Sequence, residues 1–306
     1  MTQTQTHTPT QTRMSLRALA CFKLSQKLPR TPMERTVNRS AYKQWRHDWL
    51  SSSWSGFSDE HINDKDVLDF GCGDGQLALF LASEKKPNSI IGVDLVEASI
   101  DRANASLRNT SNIDDQTDIK FAVGTANKLP VENQAFDTIL AFDCLEHVME
   151  PAPIFDEWFR VLKPGGHCLI EWFPYKGPWG PHMEALIPIP WAHLVFGQKA
   201  MFRAAEKIYD SPDFVPRHWD LDEAGNKKPN KWKNWSSFKE QDYINELDIA
   251  GFRQLASNAG FEISNYKTQS FTGSTLQRRV GTAMMKLPFV GEYFLSNAKI
   301  ELRRPL

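Results

Sequence analysis

The chain has 306 residues, 41% hydrophobic and 24% charged, with a net charge of −1. That length suits one large domain with an insertion, or two small ones, and the near-neutral balance excludes the global basic field that draws proteins to nucleic acid. The four cysteines (Cys21, Cys72, Cys144, Cys168) form no CxxC pair, and no apolar run approaches the roughly 18 residues of a membrane span. A reducing, cytoplasmic setting is expected.

Residues 1–13 are a low-complexity polar tail, "MTQTQTHTPTQT" and Arg13, expected to be disordered. No acidic residue precedes Glu34, whereas Arg13, Arg17, Lys23, Lys27 and Arg30 all do. Leu16, Leu19, Leu24 and Leu28 recur at near-helical intervals among these cations. Residues 14–60 are therefore read as a helical segment with three open roles. It could be a lid over an active site, a basic surface helix making peripheral contact with anionic lipid, or an organelle-targeting leader.

From Asp66 the pattern alternates. "DVLDFG", "SIIGVDL", "IKFAVGT", "FDTILAFD" and "GHCLIEWF" read as buried strands. "QLALFLASE", "VEASIDRANASLRN" and "PAPIFDEWFRVLKPGG" read as the helices between them, the last opening on Pro and stopping at Gly. Strands alternating with helices predict a doubly wound, mostly parallel α/β sheet of Rossmann type. Residues 175–240 break the rhythm with Pro and Trp and are read as an aromatic-rich cap insertion. Beyond them "ELDIAGFRQLASNAG" and "STLQRRVGTAMMKLP" are helical, while "FEISNYKTQSF" and "AKIELRRP" are strands. The α/β domain is thus predicted over 61–174 and 241–306.

"VLDFGCGDG" puts Gly71, Gly73 and Gly75 at the tip of the first strand, where glycine permits a tight turn and close approach of backbone to a ligand. Asp94 ends the second strand, where a carboxylate can take both ribose hydroxyls. A dinucleotide fingerprint would require glycine at Gln76, which disfavours an NAD-dependent dehydrogenase. The observed D-x-G-x-G-x-G, with Asp69 leading, suits a ligand carrying an ammonium and a positive sulfur.

With these residues in view, the sequence resembles the class I S-adenosylmethionine-dependent methyltransferases, especially their small-molecule branch. The resemblance runs from about Val67 to Trp172 through "VLDFGCGDG", "GVDLVEASI", "FAVGTANKLPVENQAFDTILAFDCLEHV" and "FRVLKPGGHCLI". It implies a seven-stranded sheet with an antiparallel last strand, supplied by "AKIELRRP". It further implies that Asp69 and the Gly71–Cys72–Gly73–Gly75 loop hold the methionine end of S-adenosylmethionine, that Asp94 binds the ribose, and that Leu95 packs on the adenine. Many relatives carry "GDA" after the third strand; here it is "GTA", so Thr125 and Ala126 would meet the adenine with a weaker acceptor.

"FDCLEHV" falls at the carboxyl end of the fourth strand, where open α/β sheets bind ligands. Asp143, Glu146 and His147 share a face if a helix begins there. Three readings stand. Asp143 lies beside the cofactor and the other two are structural; or His147 is a general base for an acceptor hydroxyl; or the cluster is a metal site. The third resembles the metal-dependent small-RNA 3′-end methyltransferases and the ubiquinone-type O-methyltransferases. There Asp143, Glu146 and His147 would be joined by His182, with His193 in reserve, around Mg²⁺, Mn²⁺ or Zn²⁺.

Trp172, Phe173, Tyr175, Trp179 and Trp191 follow the fifth strand and are expected either to wall an apolar acceptor pocket or to pack the cap on the core. The basic run "KKPNKWK", Lys227 to Lys233, reads as a solvated loop. The expected function is transfer of a methyl group from S-adenosylmethionine to a small, apolar acceptor (phenol, quinone, polyketide or lipid-like), most simply at oxygen. The competing expectations are a metal-assisted methyltransferase on a nucleic-acid end and a catalytically silent cofactor-binding scaffold.

Overall fold

The computed structural model describes residues 14–28, 39–54, 56–110, 113, 117–270 and 275–306; the predicted polar tail 1–13 lies outside them. One seven-stranded sheet organises the rest, in the order β3-β2-β1-β4-β5-β7-β6. Its strands are β1 (Asp66–Phe70), β2 (Ser89–Asp94), β3 (Asp118–Val123), β4 (Phe136–Phe142), β5 (Leu162–Trp172), β6 (Glu262–Ser270) and β7 (Leu295–Arg303). β1 to β5 run parallel, and β7 is antiparallel to both β5 and β6. The predicted seven-stranded sheet with its reversed last strand is what the chain forms.

Helices α1 (Leu16–Lys27) and α2 (Arg39–Trp54) precede the sheet. α3 (Gln76–Glu84), α4 (Glu97–Arg108) and α5 (Pro151–Val161) link the parallel strands. Within the cap lie α6 (Ala192–Val195), α7 (Gln198–Tyr209) and α8 (Phe238–Gln241); α9 (Ile249–Asn258) leads into β6, and α10 (Thr275–Met284) into β7. α5 stops at Val161, and the "KPGG" read as its stop already belongs to β5.

The sheet is covered on both faces. On one, Trp158 and Phe155 of α5 and Phe252 of α9 pack against Ile139, Ile170 and Ile300. On the other, Leu50 and Trp54 of α2 join Leu77, Leu81, Leu140 and Leu169. A third apolar cluster belongs to the cap: Phe202, Ala205 and Ile208 of α7 meet Met183, Leu186, Trp232 and Phe238. Cys21 of α1 is buried in this cap cluster, so α1 lies against the cap through Ala18, Cys21 and Ser25. Its leucines Leu16, Leu19 and Leu24 face outward instead.

α2 is tied to the sheet by a buried cation. Lys299 of β7 donates from Nζ to the Ser53 carbonyl at 2.5 Å, and a side chain at Gly56 would strike Lys299 Cδ at 2.6 Å. Asn297 donates to Glu171 Oε1 at 2.7 Å beside it. These contacts hold the carboxyl end of α2 above the carboxyl ends of β4 and β5.

Candidate active site

The β1–α3 turn builds one end of the site. Gly71, Gly73 and Gly75 all have positive φ (70°, 53° and 76°). A Cβ at Gly71 would come within 2.7 Å of Cys144 Cβ, so packing and backbone both demand glycine there; a Cβ at Gly73 would meet nothing within 4 Å. Gly73 faces open space, the room a ligand needs to approach the chain. Its N–H donates to Asp94 Oδ2 at 2.9 Å, and Val96 N–H donates to the other Asp94 oxygen at 2.8 Å. The carboxylate is thereby fixed, with lone pairs left over for two hydroxyls.

Leu95 follows with 59% of its surface exposed, a bare apolar face beside that carboxylate. Gly124 N–H bonds to Asp94 O and brings Thr125 and Ala126 alongside. Thr125 Oγ1 is already engaged, donating to Lys128 O at 3.0 Å and accepting from Lys128 N at 3.1 Å, which leaves it one lone pair. Asp69 is 2% exposed with one oxygen unpartnered. Burial pushes its carboxyl up to about 7, and Asp94 adds to the shift, against an N–H from Ala78.

The acid–histidine cluster is not the start of a helix, as its spacing suggested. Asp143 turns the chain at φ 54°, a short 3₁₀ turn covers Leu145–His147, and the α-helix waits until Pro151. Asn245 clamps this turn. Its side-chain amide donates to Leu145 O at 2.7 Å and to Val148 O at 2.8 Å, and its backbone N–H donates to Glu146 O at 2.8 Å.

His182, itself at φ 52°, reaches over from the cap. Its Nε2 lies 3.3 Å from Glu146 Oε1, and its Nδ1 lies 4.0 Å from Asp143 Oδ1. Ligand atoms of Glu146, His147 and His182 fall within 4.8 Å of one another. Asp143 stands apart from that trio: its Oδ2 takes Arg46 Nη1 of α2 at 2.6 Å. Of the four residues read as a metal set, three converge and one is held by an arginine. The reserve histidine, His193, sits in the cap beside Tyr175, with ring centroids 4.9 Å apart, and takes no part in the cluster.

Electrostatics separates the three acids and bases. Burial raises Asp143, but Arg46 and His182 pull harder and hold it below the carboxylate range. Glu146, 1% exposed and without a hydrogen bond to either oxygen, is driven well up by burial and by the Asp143 charge. Burial, with His182 opposing a second positive charge, lowers His147. His147 Nδ1 lies 3.0 Å from Tyr243 O. A carbonyl only accepts, so Nδ1 carries the proton and the neutral ring keeps its lone pair on Nε2.

Asp143, His147 and His182 open on one cleft of about 1570 Å³, above the ~300–1,000 Å³ usual for a single small ligand; Glu146, Asp94, Leu95, Thr125 and Ala126 are not among its lining residues. Asp69, Gly71, Cys72 and Gly73 line one side, and Tyr42, Arg46 and Trp49 of α2 another. The cap side includes Phe173, Trp179, Met183, Trp219, Trp232 and Trp235.

Of the five aromatics expected either to wall the pocket or to pack the cap, Phe173 and Trp179 line the cleft. Trp172 is buried against Phe252, Tyr175 belongs to the cap cluster, and Trp191 donates to Tyr293 O at 2.6 Å. Lys228 and Lys231, from the loop read as solvated, border the cleft. Arg46 and Asn245 were not singled out from the sequence. Nothing marks an arginine inside "YKQWRHDW" or an asparagine inside "DYINELD" as a partner of a turn some hundred residues away.

A reversed seventh strand, a glycine loop at β1 and a carboxylate at the end of β2 define a Rossmann-like cofactor-binding transferase fold. Residues 68–170 match the family model described as a methyltransferase domain. The chain is 31% identical over 134 residues to the ubiquinone biosynthesis O-methyltransferase of Acinetobacter baumannii, covering 41% of this chain and 49% of that protein. It is 28% identical over 107 residues to an uncharacterized methyltransferase of Schizosaccharomyces pombe, covering 34% and 38%. The chain thus spans about half the length, or less, of these curated relatives. A solved S-adenosylmethionine-dependent methyltransferase from Mesorhizobium loti shares the fold, with TM-score 0.50 and 17% identity, covering 84% of this chain and 98% of that one. Residues 68–170 thus carry a methyltransferase domain, and the sheet around them has the fold of S-adenosylmethionine-dependent methyltransferases.

Proposed function

We propose that the protein transfers the methyl group of S-adenosylmethionine to a hydroxyl oxygen of a small, largely apolar acceptor of phenol, quinone, polyketide or lipid-like character. The observation that carries this reading is His147. Its Nδ1–H is committed to Tyr243 O, which leaves Nε2 as a base on the cleft between the glycine loop and the aromatic cap. The acceptor oxygen would be deprotonated there as it attacks the methyl carbon, and the sulfonium would leave as a neutral thioether. Holding the two reactants in line is worth roughly 7–11 kcal/mol, and the base adds about 10²–10⁴-fold. The likeness to a ubiquinone biosynthesis O-methyltransferase over 134 residues supports oxygen as the acceptor atom.

The test is methylation of a panel of catechols, hydroquinones and hydroxylated lipids with labelled S-adenosylmethionine. Labelled methyl ethers are expected, with the rate falling about 10²-fold or more in His147→Gln while cofactor binding persists. Absence of S-adenosylmethionine and S-adenosylhomocysteine binding by calorimetry would sink the reading.

A second reading rests on the convergence of Glu146, His147 and His182. The two orphaned oxygens of buried Glu146 are suited to a divalent cation. Bound by those three side chains, the cation would supply polarisation of the acceptor hydroxyl. Activity abolished by chelation and restored by Mg²⁺, Mn²⁺ or Zn²⁺ supports it; unchanged activity in chelator retires it.

No helix of the described residues is long and apolar enough to cross a membrane. Leu16, Leu19 and Leu24 on the outer surface of α1, with Arg17, Lys23 and Lys27 beside them, suit peripheral contact with an anionic lipid surface. Sedimentation with phosphatidylglycerol vesicles, lost on Leu16→Ser/Leu24→Ser, tests that role.

A further inference from the structure

The amino-terminal end of the sheet carries a second group of ligating side chains, away from the cleft. β5 and β7 pair with His167 opposite Arg303 and Leu169 opposite Glu301. His167 and Glu301 are therefore diagonal neighbours on one face of the sheet. Leu169 shares that face and packs with Leu50, Trp54 and Ile62, so the turn Asp59–His61 that follows α2 lies over it. Ile62 is fully buried there, and Thr138 Oγ1 donates to His61 O at 2.6 Å. The His61 ring is delivered to the strand pair by these two anchors.

The resulting geometry is close. His167 Nδ1 lies 2.8 Å from Glu301 Oε1, and His61 Nε2 lies 3.7 Å from the same oxygen. The two imidazole centroids are 4.6 Å apart, and the three ligand atoms fall within 4.8 Å of one another. All three side chains are partly exposed, so the place is reachable from solvent. Burial, countered by Glu301 and reinforced by His167, keeps His61 below the ordinary imidazole range, so its lone pair is free of a proton at neutral pH.

We propose that His61, His167 and Glu301 form a binding site for a divalent transition-metal ion of the zinc type. Two imidazole nitrogens and one carboxylate oxygen suit Zn²⁺ or Co²⁺, whereas Mg²⁺ and Ca²⁺ require a shell of oxygens that only Glu301 begins. Tetrahedral bonds of about 2.1 Å set ligand atoms roughly 3.4 Å apart, so on binding the 3.7 Å pair closes slightly and the 2.8 Å pair opens. The ion would replace the His167–Glu301 hydrogen bond, releasing to solvent any proton that bond shares, and water would complete the shell. Of the charges acting on His61 besides this pair, Glu60 favours a cation and Lys65 opposes it. The ion would staple the turn after α2 to β5 and β7.

The test is titration of the metal-stripped full chain with Co²⁺ and Zn²⁺. A His147→Gln/His182→Gln background separates this site from the cleft. In that background the proposal expects one Co²⁺ per chain with a visible ligand-field band, and a Zn²⁺-induced rise of several degrees in Tm. Both signals are expected to vanish in His61→Gln/His167→Gln, and Zn²⁺ to bind about tenfold or more weakly in Glu301→Gln. S-adenosylmethionine binding by the His61 and His167 variants, which leave the cleft intact, shows that they fold. Absence of saturable binding in the His147→Gln/His182→Gln background overturns the proposal, as does binding that survives loss of both His61 and His167.

Discussion

Asp69 is a buried acid that holds its proton to about pH 7 in the folded chain, whereas the unfolded chain releases it near ~3.9. The folded state binds the extra proton between those values, so stability falls as pH rises from about 4 to 7, by up to ~4 kcal/mol. Asp69→Asn removes that penalty and is expected to raise Tm above pH 7, with the gain disappearing near pH 4, while weakening cofactor binding. A bound ammonium or sulfonium would draw Asp69 back to its charged form. S-adenosylmethionine should therefore bind more weakly between pH 7 and 5, with proton release visible in buffers of different ionisation enthalpy; an affinity flat across that range would show that Asp69 does not face the positive charge. Arg46 supplies the opposite case. Its guanidinium lies 2.6 Å from Asp143, and Arg46→Met leaves a partly buried carboxylate without its cation. A loss of about 2–3 kcal/mol in urea unfolding is expected, together with impaired turnover.

At the scale of elements, the turn after β4 depends on an asparagine a hundred positions away. Asn245 satisfies the carbonyls of Leu145, Glu146 and Val148. Asn245→Ala strands two of those carbonyls beneath the surface, which costs about 2–4 kcal/mol. Because the glycine loop is untouched, kcat should fall while the Kd for S-adenosylmethionine stays within about twofold; equal losses in both would mean the whole cleft had collapsed. The strands and helices of the core were legible because apolar runs such as "DVLDF" and "FDTILAF" are punctuated by glycine, proline and acid at their ends. The site was half legible. Asp69, Gly73 and Asp94 could be read together because the glycine turn follows β1 directly and Asp94 ends β2. Asp143, Glu146 and His147 were found as a group, but the meeting of Glu146 and His147 with His182, and the separation of Asp143, depend on two positive-φ turns that spacing does not encode. α1 shows the limit of periodicity: the leucine spacing marks a helix, but that the small residues Ala18, Cys21 and Ser25 are the ones that pack is not encoded in it.

For the molecule as a whole, the matched stretch 68–170 supplies the glycine-loop side of the cleft, whereas α2 and the cap supply the opposite walls; in the proposed reaction these would be the cofactor and acceptor sides. Trp219, Trp232 and Trp235 all line the cleft, so an acceptor should quench indole fluorescence more than S-adenosylhomocysteine does, and Trp219→Ala should raise acceptor KM more than cofactor Kd. Lys231 borders the same space with its charge disfavoured by burial and supported by Asp220, so acceptors bearing an acidic substituent should bind more tightly than their neutral analogues. The four cysteines have a further consequence. All are buried, Cys144 Sγ lies 3.3 Å from Phe70 O, and burial raises every one of the thiols. In the native state they are chemically silent, and the rate at which an alkylating reagent marks them becomes a clock of structural opening. Mass spectrometry of that labelling should find Cys168, at the centre of the sheet, marked at the global unfolding rate. Cys72, beside the glycine loop, should be marked sooner, and should fall silent when S-adenosylmethionine is added.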